Sequence, residues 1–373
     1  MLLSGIFPPI TTPFYPDGEV YYKKLESNVE RYSRTPIAGI VVQGSTGEAI
    51  MLSDQERRDV FKVAMGAAAP NKVMIAGTGL ESAHETLRLT EYAANLGYDA
   101  AMVRTPHYYK TQMLPANLLA FYRTVADRSA LPIIIYNFPQ ATGYDMPPAI
   151  VSELAGHPNI AAIKESGGNL DKVKQMVDGT RHIRRQATVT ETFEAVTPRM
   201  VKAAGIESEK RSRELVSVAT LTSSIESIER GTAATVHVDH PAKPSSSAVT
   251  YLGKLKVRQK EVGFQVMVGA AHQLEPSLGL GAVGAILGFA SPAPMACYEI
   301  AAAFKDGDAA LAREKQERVK LAALRVVGEL GVPGVKYAMD LNGYYGGPSR
   351  LPLLPLSGEQ KANVDKLMTG IKS

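Results

Sequence analysis

Short apolar runs recur along this chain and alternate with stretches of helical periodicity. The runs are Ser4–Thr12, Ile37–Val42, Lys72–Ala76, Asp99–Val103, Pro132–Ile135, Ile160–Ile163, Phe264–Val268 and Ala282–Leu287. They are nearly continuous rather than alternating apolar and polar, which predicts strands buried on both faces and therefore parallel. Helical patterns lie between them: Val20–Ser33, a segment opened by Ser53 with Glu56 three residues on as a capping box, Ser82–Leu96, Pro115–Asp127, Pro147–Ala155, Asn169–Val177 and Gln273–Leu280. Eight strands alternating with helices predict an α/β chain folded as a (β/α)8, or TIM, barrel over residues 1–300. Further helical patterns near 294–304, 307–329, 334–341 and 357–371 exceed the barrel's own needs, so residues 301–373 are expected to form a C-terminal helical appendage.

One segment breaks the rhythm. Residues 181–262 fall between the sixth helix and the seventh strand, where a link of a few residues is usual. The segment holds 18 Ser/Thr, two aromatics (Phe193 and Tyr251) and a Pro/Ser cluster at 241–247. It reads as a polar insert of open structure at the barrel's bottom, the end away from catalysis, and is expected to be mobile and dispensable. Its origin stays open between an elaborated surface loop and a translated intron.

Composition narrows the classes without naming one. The chain has 373 residues and a net charge of +4, too small for its length to suggest nucleic acid. The insert alone has 14 Lys/Arg against 9 Asp/Glu, so the mild basicity belongs to it. A single cysteine, Cys297, rules out an intrachain disulfide and a cysteine metal cluster. The N-terminus reads at once as a strand, with no secretory or transit pattern, and no apolar run approaches the roughly 20 residues that span a bilayer. These features point to a cytoplasmic protein without membrane partners.

Candidate chemistry concentrates in Leu131–Asn169. Its two strands deliver Tyr136 and Lys164 at their C-terminal ends, where parallel barrels place catalysis. A desolvated amine has a lowered pKa and can attack a ketone to form a Schiff base, and a nearby phenol can carry the proton. Taken alone, a lysine and a tyrosine at strand ends are more often a solvated cation and an aromatic plug. Gly44-Ser45-Thr46-Gly47-Glu48 follows a strand and precedes a helix, a setting for anion binding by backbone amides or for an ordinary glycine loop. Gly279-Leu280-Gly281-Ala282-Val283-Gly284 spells G-x-G-x-x-G, but it follows a helix and precedes a strand, the reverse of a dinucleotide site. His237 and His240 have no third ligand nearby, so no metal is assigned.

The stretches YNFPxxTG and IAAIKESGG resemble those of the dihydrodipicolinate synthase / N-acetylneuraminate lyase family of class I, lysine-dependent pyruvate aldolases. GSTGE at 44–48, AGTGLES at 76–82, DAAMVRTPHYY at 99–109 and GVPGVKYAMDLNGYYGGPSRLPL at 331–353 are similar in the same order, and the likeness is greatest to the 4-hydroxy-2-oxoglutarate aldolases. The resemblance implies Lys164 as the imine-forming residue and Tyr136, Ser45 and Tyr108 as a proton relay. In that family the tyrosine matching Tyr108 is inserted into a neighbouring subunit's site, so a homo-oligomer, a dimer or a tetramer, is implied. Thr46 and Gly47 would hold the pyruvate carboxylate, and Ser166 and Gly167 would line the substrate channel. The partners implied are a 2-oxo acid and an aldehyde, with no cofactor and no metal. Ala141 stands where the dihydrodipicolinate synthases carry an arginine for an amino-aldehyde's carboxylate. Rival expectations are dihydrodipicolinate synthesis, cleavage of a 2-keto-3-deoxy sugar acid or of neuraminate, and a catalytically silent binding protein on the same scaffold.

Overall fold

The computed structural model describes residues 1–205, 250–252 and 255–371. Eight parallel strands make one sheet: β1 (Gly5–Ile6), β2 (Gly39–Val42), β3 (Val73–Gly77), β4 (Ala100–Arg104), β5 (Ile133–Asn137), β6 (Ile160–Glu165), β10 (Gln265–Val268) and β11 (Gly284–Ala285). Their order is β1-β11-β10-β6-β5-β4-β3-β2. The two edges meet: Ala38 N–H donates to the Ile6 carbonyl, Val41 N–H to Pro8 and Ile10 N–H to Val41, each at 3.0 Å, closing the barrel. The seam is thin because Pro8 and Pro9 bring no N–H to it. This is why β1 is shorter than its apolar run Ser4–Thr12.

Alternation along each strand divides the core. Phe7, Val41, Val73, Ile75, Ala100, Met102, Ile134, Ala162 and Met267 fill the barrel interior. Their neighbours Ile40, Met74, Ala101, Val103, Ile133, Ile163 and Val266 pack outward under the helices. Those helices are α1 (Tyr22–Ser33), α2 (Asp54–Ala67), α3 (Ala83–Leu96), α4 (Pro115–Arg128), the single turn α5 (Pro139–Thr142), α6 (Pro148–Ala155), α7 (Leu170–Gly179), α9 (Leu274–Gly279) and α10 (Pro294–Lys305). Ser53 and Glu56 form the expected capping box of α2. Gly279 ends α9, Gly281 takes a φ of 103° and Gly284 enters β11, so that glycine run is a helix stop. Beyond the barrel come α11 (Ala309–Ala323), a π-helical turn Leu324–Glu329, α12 (Gly331–Leu341) and α13 (Gly358–Met368).

The insert departs from expectation at both ends. β7 (Arg185–Thr190), β8 (Thr250–Leu252) and β9 (Leu255–Val262) form a small antiparallel sheet of order β7-β9-β8, with Arg185 opposite Val262 and Thr190 opposite Val257. Ala187 and Val189 face inward and pack with Leu2. The described part of α8, residues 198–205, carries Met200 into the interior cluster of the barrel. Arg199 hydrogen-bonds the Ala69 and Lys72 carbonyls and pairs with the buried Asp99 at 3.5 Å. Arg185 donates to the Ile160, Ala155 and His157 carbonyls at 2.5–2.8 Å. These ends therefore pack as a stopper against the barrel's bottom and do not hang free of it. His237 and His240 lie outside the described residues.

Arg199→Ala should destabilise the protein by on the order of 3 kcal/mol, because it strands the Asp99 carboxylate in the core. A shift in the urea midpoint at unchanged slope would measure this. A loss under 0.5 kcal/mol would mean that the stopper carries no load.

Candidate active site

Strand register assembles the site. Around the barrel, Arg104 of β4 lies opposite Tyr136 of β5, Tyr136 opposite Lys164 of β6, and Lys164 opposite Met267 of β10. All share the parity of the interior residues Met102, Ile134 and Ala162, so these side chains belong to one layer at the C-terminal mouth. The next residue on each strand faces out: Asn137 pairs with Glu165, and Asn137 Nδ2 donates to Glu165 Oε2 at 2.8 Å and to Asp145 Oδ1 at 2.9 Å. Lys172 joins both carboxylates. This network, buried at Asn137 and Glu165 and open to solvent at Asp145, ties the two strand ends behind the residues that face the mouth.

Lys164 is 5 % exposed, and its Nζ sits 4.0 Å from the centre of the Tyr136 ring. Burial lowers its pKa to about 7, with no opposing charge acting on it. A substantial share of the amine is therefore neutral near pH 7 and nucleophilic. Burial raises the Tyr136 phenol to about 12, against smaller opposite effects of Ser45 and of the Arg104 charge, so Tyr136 rests as a proton donor. Its hydroxyl lies 3.1 Å from Ser45 Oγ. Ser166 Oγ is buried beside these groups and, with Ser45, faces the Tyr136 phenol and draws its pKa slightly down. Gly269 makes room for it, since a Cβ there would stand 2.0 Å from Ser166 Oγ.

The Gly44–Glu48 loop is held in a strained form. Gln43 and Glu48 flank it with φ of 63° and 54°, both left-handed and neither glycine. Gly47 N–H closes onto the Gly44 carbonyl, and Thr12 Oγ1 donates to the Gly47 carbonyl at 2.7 Å. What fixes the loop comes from the far end of the chain. Glu48 is buried and paired with Lys336 at 2.5 Å, and it accepts Arg350 N–H at 2.9 Å. Lys336 also donates to the Pro348 carbonyl, and Arg350 grips Glu56 and the Gly18 carbonyl. The C-terminal helices thus clamp a loop of the mouth. Thr46 faces Gly288, beside Val327 of the π-helical turn.

The structure brings Lys164, Tyr136, Ser45 and Ser166 together, with Thr46 and Gly47 on the adjoining loop. Gly167 lies beside them, its N–H on Glu165 Oε1 at 2.5 Å and its carbonyl on Gln140 Nε2. Tyr108 is not among them. It is 75 % exposed, edge-on to Tyr109, and its phenol makes no hydrogen bond within the described chain.

Sequence reasoning missed Arg104, which lines a cleft together with Gln43, Ser45, Arg57, Leu80 and Tyr136. Its Nη1 contacts Glu81 Oε1 at 2.8 Å and His107 Nδ1 at 2.6 Å, while Glu81 Oε2 accepts the His107 and Tyr108 amides. A signal was present, since Arg104 follows Met102 at the inward spacing of two. Among the described residues no group of three His, Cys, Asp or Glu could hold a metal, and no helix is long and apolar enough to cross a membrane.

The sequence matches the family model for the dihydrodipicolinate synthetase family over residues 2–238 and 242–371. The chain belongs to that family. Its members are aldolase-type lyases that work through a lysine Schiff base. A 4-hydroxy-tetrahydrodipicolinate synthase of Methanothrix thermoacetophila is 28% identical over 368 residues, 99% of this chain and 97% of that protein. One from Xanthomonas campestris pv. campestris is 40% identical over 177 residues, but the match spans only 48% of this chain and 58% of the relative. The fold is shared with a prophage protein of E. coli K12 from the dihydrodipicolinic acid synthase family, solved in complex with pyruvate (TM-score 0.72, 23% identity, covering 100% and 99% of the two chains). It is also shared with the dihydrodipicolinate synthase of Thermotoga maritima (TM-score 0.72, 21% identity, 99% of each chain).

Reductive trapping of pyruvate with cyanoborohydride should accelerate with rising pH and level off above about 7, because only the neutral amine attacks and the ammonium prevails below the Lys164 pKa. A rate still climbing toward pH 10 would indicate an ordinary solvated lysine.

Proposed function

We propose that the chain is a class I aldolase that cleaves 4-hydroxy-2-oxoglutarate to pyruvate and glyoxylate. The observation that carries the reading is the buried, uncountered Lys164 amine against the Tyr136 ring. The neutral amine adds to C2 of the substrate and expels water, leaving an iminium. The C3–C4 bond then breaks, its electron pair passes to the iminium to give an enamine, and the C4 hydroxyl proton leaves through the phenol. Glyoxylate departs, C3 is reprotonated, and water releases pyruvate from Lys164. Tyr136 and Ser45 form the near part of the relay. The backbone and Thr46 of the strained loop suit the C1 carboxylate, and Ser166 and Gly167 border the path.

Tyr108, exposed and with its phenol free of hydrogen bonds to the described residues, fits a role in a neighbouring subunit, which favours a dimer or a tetramer. Cytosol suits a chain whose cysteine, Cys297, is a buried free thiol. The relatives named synthases keep open a second reading, condensation of pyruvate with an amino-aldehyde. Against it stands Ala141, an exposed residue of α5 that offers no charge to such a partner's carboxylate.

Pyruvate and borohydride should add one reduced pyruvate to Lys164, read by peptide mass spectrometry. Lys164→Ala should abolish turnover, and Tyr136→Phe should slow it while imine still forms. No adduct, or one on another lysine, would remove the mechanism.

On one preparation, kcat/KM for 4-hydroxy-2-oxoglutarate should exceed that for aspartate semialdehyde, and Ala141→Arg should narrow the gap. A charge-assisted hydrogen bond is worth about 1.5–3 kcal/mol, so a ten- to hundredfold change is the expected scale. Faster use of aspartate semialdehyde by the unaltered protein would install the second reading.

A further inference from the structure

We infer that Arg104, assisted by Arg57, binds the distal carboxylate of the substrate and makes the site favour 2-oxo diacids for cleavage. This deepens the proposed reaction and rests on it. Three adjacent strands present Lys164, Tyr136 and Arg104 in register on one face. Neighbouring strands lie about 4.8 Å apart, so Lys164 and Arg104 are separated by two such steps with Tyr136 between. A five-carbon hydroxy diacid presents its groups in the same order: the C2 carbonyl to Lys164, the C4 hydroxyl to Tyr136 and the C5 carboxylate to Arg104.

The guanidinium is equipped for that role. Its side chain is only 17 % exposed, which strengthens a charge-assisted bond. Glu81 and His107 occupy Nη1 alone, which fixes the group and leaves the Nε–Nη2 edge without a partner in the described chain. That edge is the fork that takes a carboxylate in two parallel bonds. Arg57 lines the same cleft. Its Nε donates to the Ala49 carbonyl, and its terminal nitrogens have no hydrogen-bond partner among the described residues. Gln43, 4 % exposed, also lines the cleft, and its Oε1 is unpartnered. Burial holds the Arg57 pKa down against the Asp54 and Glu56 charges, and the Arg104 charge adds a smaller push the same way, so the two cations act on one another. The open edges of the two guanidiniums offer N–H donors to a carboxylate and no acceptor to the ammonium of an amino-aldehyde. Arg104 thus restores the cation that Ala141 leaves out, at a place suited to a shorter partner.

The test compares two substrates that differ only at the distal group: 4-hydroxy-2-oxoglutarate, and 4-hydroxy-2-oxopentanoate, which has a methyl in place of the carboxylate. Pyruvate release gives kcat/KM for both. In Arg104→Gln the ratio favouring the diacid should fall by about ten- to a hundredfold, and Arg104→Lys should recover part of it. A second readout needs no turnover: reductive trapping of 2-oxoglutarate on Lys164 should need a higher concentration in Arg104→Gln, with a smaller change for 2-oxopentanoate. Equal losses on both members of each pair would make Arg104 a structural residue and overturn the inference. Failure of the unaltered protein to form any Lys164 adduct would instead overturn the reaction itself, so the two failures are distinguishable.

Discussion

Keeping the Lys164 amine out of water, with no counter-charge to hold its proton, is the constraint on which the rest of this structure turns. An ammonium in that position lacks compensation, so the folded chain favours the neutral amine. The condition is easily lost, since a carboxylate facing the mouth nearby would restore the charge. Strand alternation prevents this. Glu165 adjoins Lys164 in sequence but points to the opposite side, where Asn137 and Lys172 satisfy it. The acidic groups that position β5 and β6 thereby stay outside the barrel while the aromatic face of Tyr136 stays inside.

The same economy governs the glycine loop. Two non-glycine residues in left-handed conformations resist that shape, and the loop keeps it because Glu48 is locked by Lys336 and Arg350. Breaking such a buried pair on one side leaves an uncompensated charge, which makes the clamp hard to open. The helices beyond the barrel are therefore part of the site's scaffolding, although none of their side chains belongs to the proposed relay.

Much of this was legible in the sequence, for identifiable reasons. Buried parallel strands write themselves as continuous apolar runs, so all eight were found; β1 was overextended across prolines that cannot join a ladder, and Ala282–Leu287 shrank to β11 (Gly284–Ala285). Tyr136 and Lys164 stood out because they end such runs. Arg104 escaped notice because the apolar run was ended at Val103, one residue before it, and its partner Glu81 lies 23 residues earlier in the chain. The Glu48–Lys336 pair joins positions 288 residues apart, a distance that no local pattern spans. The ends of the insert were misjudged by composition. Averaged over 181–262 the segment is polar, yet Arg185–Thr190 alternates with Ala187 and Val189 turned inward, the signature of a half-buried strand.

The clamp on Glu48 also orders events during synthesis. The ribosome completes the loop and both barrel-mouth residues, Tyr136 and Lys164, long before Lys336 and Arg350 leave the exit tunnel. A nascent chain therefore holds its nucleophile and its phenol while the loop between Gln43 and Glu48 is still unlocked. The last strands and the helices after them arrive together, and with them the bonds that give the loop its shape. The shape of that loop is in this sense a late property of the polypeptide, conferred by Lys336 and Arg350 on a segment made long before them.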